Sequence, residues 1–218
     1  MRSVTLSKMA ILAFGLSVIA ISAPVYATTV DEVGDLIRLG KYQQVMDVIK
    51  DEPMLARTRD DMGMTPLHYA AKRPGVELAE WLISKGADVN TRDYCGRTPL
   101  YMASLQGQIA ECKMLIRRGA RVNTQDQDGR TPLHNAMNGS CATVLLRSGA
   151  DKNVRDKKGI TPLFDAVSTD RTDVVKVLIK ANTSLNVRDR LGKTPLTWAK
   201  QRKHATISTL LQRAGARQ

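Results

Sequence analysis

The pattern G-x-T-P-L occurs five times in this 218-residue chain, beginning at Gly63, Gly96, Gly129, Gly159 and Gly192. The spacings are 33, 33, 30 and 33 residues. A fixed period in this range means stacked supersecondary units. Each unit is too small to bury its own apolar face, so the core forms only when neighbours pile up.

The stretch from Asp60 to Arg92 shows what one unit must do. Asp60 and Gly63 occupy the first and fourth positions of a tight turn. Thr65 then predicts a helix N-cap, and Pro66 takes the first helical position, where a missing N–H costs nothing. Leu67, Ala70 and Ala71 follow at helical spacing, and the alanines let a neighbouring helix come close. Pro74–Gly75 breaks this helix. A second helix is expected from about Glu77 to Ser84, with Leu78, Trp81, Leu82 and Ile83, stopping at Gly86 as a left-handed cap. Val89 and its neighbours then run extended into the next turn.

With TPLHYAA, TPLYMAS, TPLHNAM, TPLFDAV and TPLTWAK opening the units, and GADVN, GARVN and GADKN closing second helices, the chain resembles ankyrin-repeat proteins. The resemblance runs from about residue 31 to residue 218. It implies an all-α repeat solenoid of paired antiparallel helices, with β-hairpin-like fingers projecting at about a right angle and a concave face that binds other proteins. The array divides into an atypical first unit (31–59), internal units 60–92, 93–125, 126–155 and 156–188, and a polar last unit (189–218). Terminal units are expected to be atypical because one side faces water.

Two departures stand out. Unit 126–155 is three residues short, and the loss falls near Asn138–Gly139, so its first helix or turn must be tighter. That could shape a notch, or be a neutral loop deletion. Asn182 stands where the other units have Gly86, Gly119 and Gly149, and asparagine is the next best left-handed cap.

Residues 1–27 lie outside the array. Arg2 and Lys8 precede an apolar run from Met9 to Ala23, and Val25-Tyr26-Ala27 forms a small-x-small cleavage site, the features of a secretory signal peptide. An uncleaved anchor is the rival reading. Cleavage leaves a soluble domain over 28–218, with no membrane attachment, in the periplasm of a Gram-negative cell or outside any other. The formal charge of +12 becomes +10 once Arg2 and Lys8 are gone.

Three cysteines in an exported chain raise the question of pairing. Cys95 falls in a finger, while Cys112 and Cys141 fall in adjacent second helices. A Cys112–Cys141 bridge is conceivable, though stacked helices hold Cα atoms further apart than a disulfide tolerates; buried free thiols are the alternative.

Little in the chain suggests chemistry. His68 and His134 occupy the fourth position of TPLH, where the resemblance implies structural hydrogen bonds between repeats. His204 stands alone. No Cys/His spacing suits a metal, no glycine loop suits a phosphate, and no nucleophile–base set can be assembled, so neither enzyme activity nor a cofactor is expected. The recurring Asp60, Asp93, Asp126, Asp156 and Asp189 each open a turn.

The fingers carry the information about partners. Arg59, Lys72, Arg73, Arg92, Arg97, Arg130, Arg155, Lys157, Lys158, Arg188, Arg190, Lys193 and Arg202 fall in or beside them, against Asp61, Asp128 and the five turn aspartates. Met62, Met64, Tyr94, Ile160 and Leu191 interleave. One reading is a solvated edge whose Arg–Asp pairs contribute little. The other is a basic strip that steers an acidic protein, with Met62, Met64 and Tyr94 as apolar anchors beside the finger cations from Arg59 to Lys193. Packing between adjacent fingers would explain the apolar residues equally well. Nucleic acid is disfavoured, because base-stacking aromatics other than Tyr94 are nearly absent from the strip. The expectation is a monomeric protein-binding scaffold. Its partner could be a secreted toxic enzyme that it neutralises, an exported stress-defence enzyme that it assists, or a host protein.

Overall fold

The computed structural model describes residues 29–217. The expected signal peptide lies outside them. Among the described residues the chain forms eleven α-helices and one 3₁₀ turn, with no strand. Helices α1 (Val30–Arg38) and α2 (Tyr42–Asp51) and the 3₁₀ turn Pro53–Arg57 make the first unit. Next come α3 (Pro66–Ala71) with α4 (Val76–Ser84), and α5 (Pro99–Leu105) with α6 (Ile109–Arg117). The short unit has only α7 (Gly139–Arg147). The last two units hold α8 (Pro162–Ser168) with α9 (Thr172–Lys180), and α10 (Pro195–Gln201) with α11 (Ala205–Arg213).

These helices make two layers. The first helices stack on one another, α1 on α3, α3 on α5, and α8 on α10, while α4, α6, α7, α9 and α11 stack behind them. A single apolar cluster runs through the stack from Val33 to Leu211. The sequence rules account for the ends. Thr65, Thr98, Thr161 and Thr194 each sit at an extended N-cap with proline next in the helix. Gly86, Gly119 and Gly149 have φ of 90°, 90° and 87°, and Asn182 replaces them at φ 56°. Asparagine is therefore a working left-handed cap here, as its position predicted.

The fingers are hairpin-like without being strands. In each, the aspartate N–H donates to the carbonyl four residues on, as from Asp60 to Met64 at 3.0 Å, and the glycine N–H donates back to the aspartate carbonyl. The Asp60 carboxylate also accepts from the N–H groups of Met62 and Met64, both at 2.8 Å. The same pattern recurs at Asp93, Asp126, Asp156 and Asp189. These carboxylates are turn scaffolding.

Unit 126–155 departs from the expected pair of helices. Its Thr131–Met137 segment closes through i to i−3 bonds, from His134 to Thr131, Asn135 to Pro132 and Ala136 to Leu133, the tighter 3₁₀ spacing. In unit 93–125 the N-cap Gln108 comes nine positions after Pro99; here the N-cap Asn138 comes six positions after Pro132. There is no room for a regular first helix and a linker. The carbonyls of His134 and Ala136 are instead taken up by the guanidinium of Arg171, from the next unit.

At the four junctions after unit 60–92 begins, one asparagine staples each layer to the next. Asn90 accepts from the Arg121 N–H at 2.8 Å and donates to the Gly119 carbonyl at 3.1 Å. Asn123 does the same with Asp151 and Gly149. Asn153 accepts from Ser184 N–H, and Asn186 from Arg217 N–H. The last residue of GADVN, GARVN and GADKN is thus an inter-unit clasp.

Candidate protein-binding face

The finger edge is held together by one backbone bond per junction. Tyr94 N–H donates to Met62 O at 3.0 Å, Gln127 to Cys95, Lys157 to Asp128, and Arg190 to Lys158. This ladder lines the fingers up as one edge, so residues 33 apart in sequence become neighbours. At Gly63 the approach is close enough that an added Cβ would lie 2.6 Å from the Tyr94 ring.

The expected binding residues separate into three groups along this edge. The first braces the fingers. Arg92 donates to the Gln125 carbonyl at 2.7 Å, and Arg59 and Arg155 make the corresponding bonds to the carbonyls of Arg92 and Arg188. Arg59 also bonds Thr91 and the Gly63 carbonyl, and Arg188 bonds the Gly192 carbonyl at 2.6 Å. These side chains are exposed, but part of their donor capacity is already spent on neighbouring backbone. Lys193 bonds the Gln201 side chain at 3.0 Å.

The second group is part-buried in ion pairs. Arg97 holds Asp93 at 2.7 Å, with the aspartate side chain fully buried. Arg130 pairs with Asp165 and lies 4.0 Å from Asp156. In the first and last TPL units, the residue at Asp165's place donates to the turn aspartate: Tyr69 to Asp60, and Trp198 to Asp189. In unit 156–188 an acid stands there beside Asp156, and Arg130 from the preceding unit neutralises the two. Burial pushes the Asp165 carboxyl above its usual range, against the pull of Arg130. Arg97 and Arg130 therefore serve folding before binding.

The third group points outward. Met62, Tyr94 and Leu191 are 57%, 61% and 75% exposed. The side chains of Lys157, Lys158 and Arg190 are exposed and have no intramolecular partner among the described residues. Met64 does not join them. It is 4% exposed and packs in the core, because the turn that carries Met62 outward aims the residue before the N-cap threonine inward.

The histidines behave as the resemblance implied. His68 Nδ1 accepts from Thr65 N–H at 3.0 Å, so Nε2 carries the proton and donates to the Arg97 carbonyl of the next unit at 3.0 Å. His134 repeats this with Thr131 and Ile160. Burial lowers the pKa of both rings. His204 is not alone: its Nδ1 lies 2.9 Å from Asp170 of the preceding unit. Cys112 and Cys141 are fully buried free thiols in hydrogen-bond contact, which with burial pushes the Cys112 thiol up; Cys95 is exposed and free. Among the described residues no group of His, Cys, Asp or Glu is placed to hold a metal, and no helix is long and apolar enough to cross a membrane.

Sequence reasoning passed over Phe164, Asp165 and Trp198. These line a cavity with Arg130, Lys157, Lys158 and Arg202 between the fingers of units 126–155 and 156–188 and the helices α8 and α10. The signal available was the change from Tyr69 to Asp165 at one position of the repeat.

The family models agree with this architecture. A model for ankyrin repeats in three copies matches residues 77–156 and 138–218, and one for ankyrin repeats in many copies matches residues 49–103. The chain belongs to the ankyrin-repeat family. Ankyrin repeats in general mediate protein–protein interaction and are scaffolds, not catalysts. No curated protein matches the chain.

Proposed function

We propose that the chain is an exported scaffold whose finger edge docks an acidic protein. The observation that carries this reading is the outward-facing set: Lys157, Lys158 and Arg190 with no partner among the described residues, on the same edge as Met62, Tyr94 and Leu191. Charge of one sign speeds encounter and fixes register, while apolar anchors supply the lasting contact. The net charge of +12, or +10 without Arg2 and Lys8, adds to the attraction over longer range. Export rests on the basic, apolar and small-residue pattern of the first 27 residues.

Capture from an extract of the source cell tests the docking surface. Replacing Lys157, Lys158 and Arg190 by glutamate should remove the captured protein, and its retention on the unaltered chain should weaken with salt. Undiminished capture by the triple variant moves the interface elsewhere. Fractionation of cells tests export: a shortened chain is expected outside the cytoplasm, and a full-length cytoplasmic chain would rule export out.

A further inference from the structure

A cavity of about 270 Å³ lies between the fingers of units 126–155 and 156–188 and helices α8 and α10. That is just below the roughly 300 Å³ at which small-molecule sites begin, and fits one or two side chains. Its lining combines three chemistries. Trp198, half-buried, gives it an aromatic wall, backed edge to face by the fully buried Phe164 at 6.1 Å between ring centroids. Lys157, Lys158 and Arg202 are exposed lining residues, with Arg202 5.1 Å over the Trp198 ring; Asp128 is the one exposed acid beside them. Asp165, 7% exposed, is the third element. Arg130 holds one of its oxygens, and the other, Oδ2, is buried with no donor.

A buried acceptor without a donor is destabilising, so an occupant that brings a donor is favoured there. A lysine or arginine would bring one into three cations. A serine would leave the aromatic wall uncovered, and a phenylalanine would leave Asp165 unsatisfied. Resting on the acidic-partner reading above, we propose that this cavity receives a tyrosine carried in an acidic segment of the partner. Its ring lies against Trp198, its hydroxyl donates to Asp165 Oδ2, and the flanking carboxylates meet Lys157, Lys158 and Arg202.

Trp81→Phe leaves Trp198 as the sole tryptophan, whose emission then reports on the cavity. The full chain is titrated with the peptide Glu-Asp-Tyr-Asp-Glu, its phenylalanine analogue, and Lys-Gly-Tyr-Gly-Lys. The acidic tyrosine peptide should give a saturable change, the phenylalanine analogue should bind about five-fold more weakly, and the basic peptide should not bind. Lys157→Glu with Lys158→Glu should abolish the response while leaving the melting temperature unchanged. Equal affinity for the two acidic peptides overturns the tyrosine site; if charge reversal abolishes both, the acidic-partner reading stands without it. No binding of the tyrosine peptide also overturns the site. Capture that survives charge reversal overturns both readings.

Discussion

Units 93–125 and 126–155 are neighbours built from the same motif, and they reach stability by different routes. In unit 93–125 the first segment is a regular helix, and Thr98 caps it through the Tyr101 N–H at 3.2 Å. In unit 126–155 the same threonine–proline–leucine opening leads into a 3₁₀-like turn, and its carbonyls are satisfied from outside by Arg171. The comparison shows that losing three residues moved hydrogen bonding from within a layer to between layers. The core positions were kept: Leu100 and Leu133 are both fully buried.

The largest expected effect tests whether the two cores are equally rigid. Leu100→Ala should cost about 3–5 kcal/mol, and Leu133→Ala less, because an irregular segment collapses more readily onto a void than a helix held on both sides. Equal losses in denaturant melts would break the comparison. Next is Arg171→Ala, which leaves two buried carbonyls without donors and should cost about 2–3 kcal/mol, a fall in melting temperature of roughly 5–10 °C. Arg202→Ala removes one bond, to the Ser168 carbonyl, from an exposed side chain and should cost much less. If the two variants melt together, the short unit does not depend on its neighbour.

A third prediction concerns the ion pairs. Arg130→Ala leaves Asp165 and Asp156 without their shared cation and should destabilise by about 2 kcal/mol, part of which Asp165→Asn in the same chain should restore. The smallest effect is the dependence on pH. His68 and His134 have folded pKa values below the ordinary 6.5, so below that pH the unfolded chain takes up protons the folded chain refuses. Stability is therefore complete above about pH 6.5 and declines as pH falls below it. Replacing both rings by glutamine should flatten that part of the melting curve, and an unchanged slope would assign it to other groups.

How much of this could be read from residues alone depends on the range of each interaction. Turn, N-cap and left-handed cap are local, so Asp60, Thr65 and Gly86 announce their roles within a few positions, and Asn182 can be placed by its register. The Arg130–Asp165 and Arg171–Ala136 contacts span 35 residues, and no local rule links their ends. Arginines near fingers consequently look like a uniform basic strip, whereas the structure divides them into braces, ion pairs and free cations. Met64 was misplaced for a related reason: apolar character in a turn does not say which way the side chain turns.

The reach of Arg171 back into residues 131–137 also bears on how the protein comes into being. Each layer of the array takes some bonds from the one after it, as Asn123 does from residues 149 and 151. In residues 131–137 that dependence falls on the main chain itself, whose carbonyls are closed only once Arg171 is in place. A truncation that ends before residue 171 should therefore leave unit 126–155 as the loose end of the array, for want of a single guanidinium.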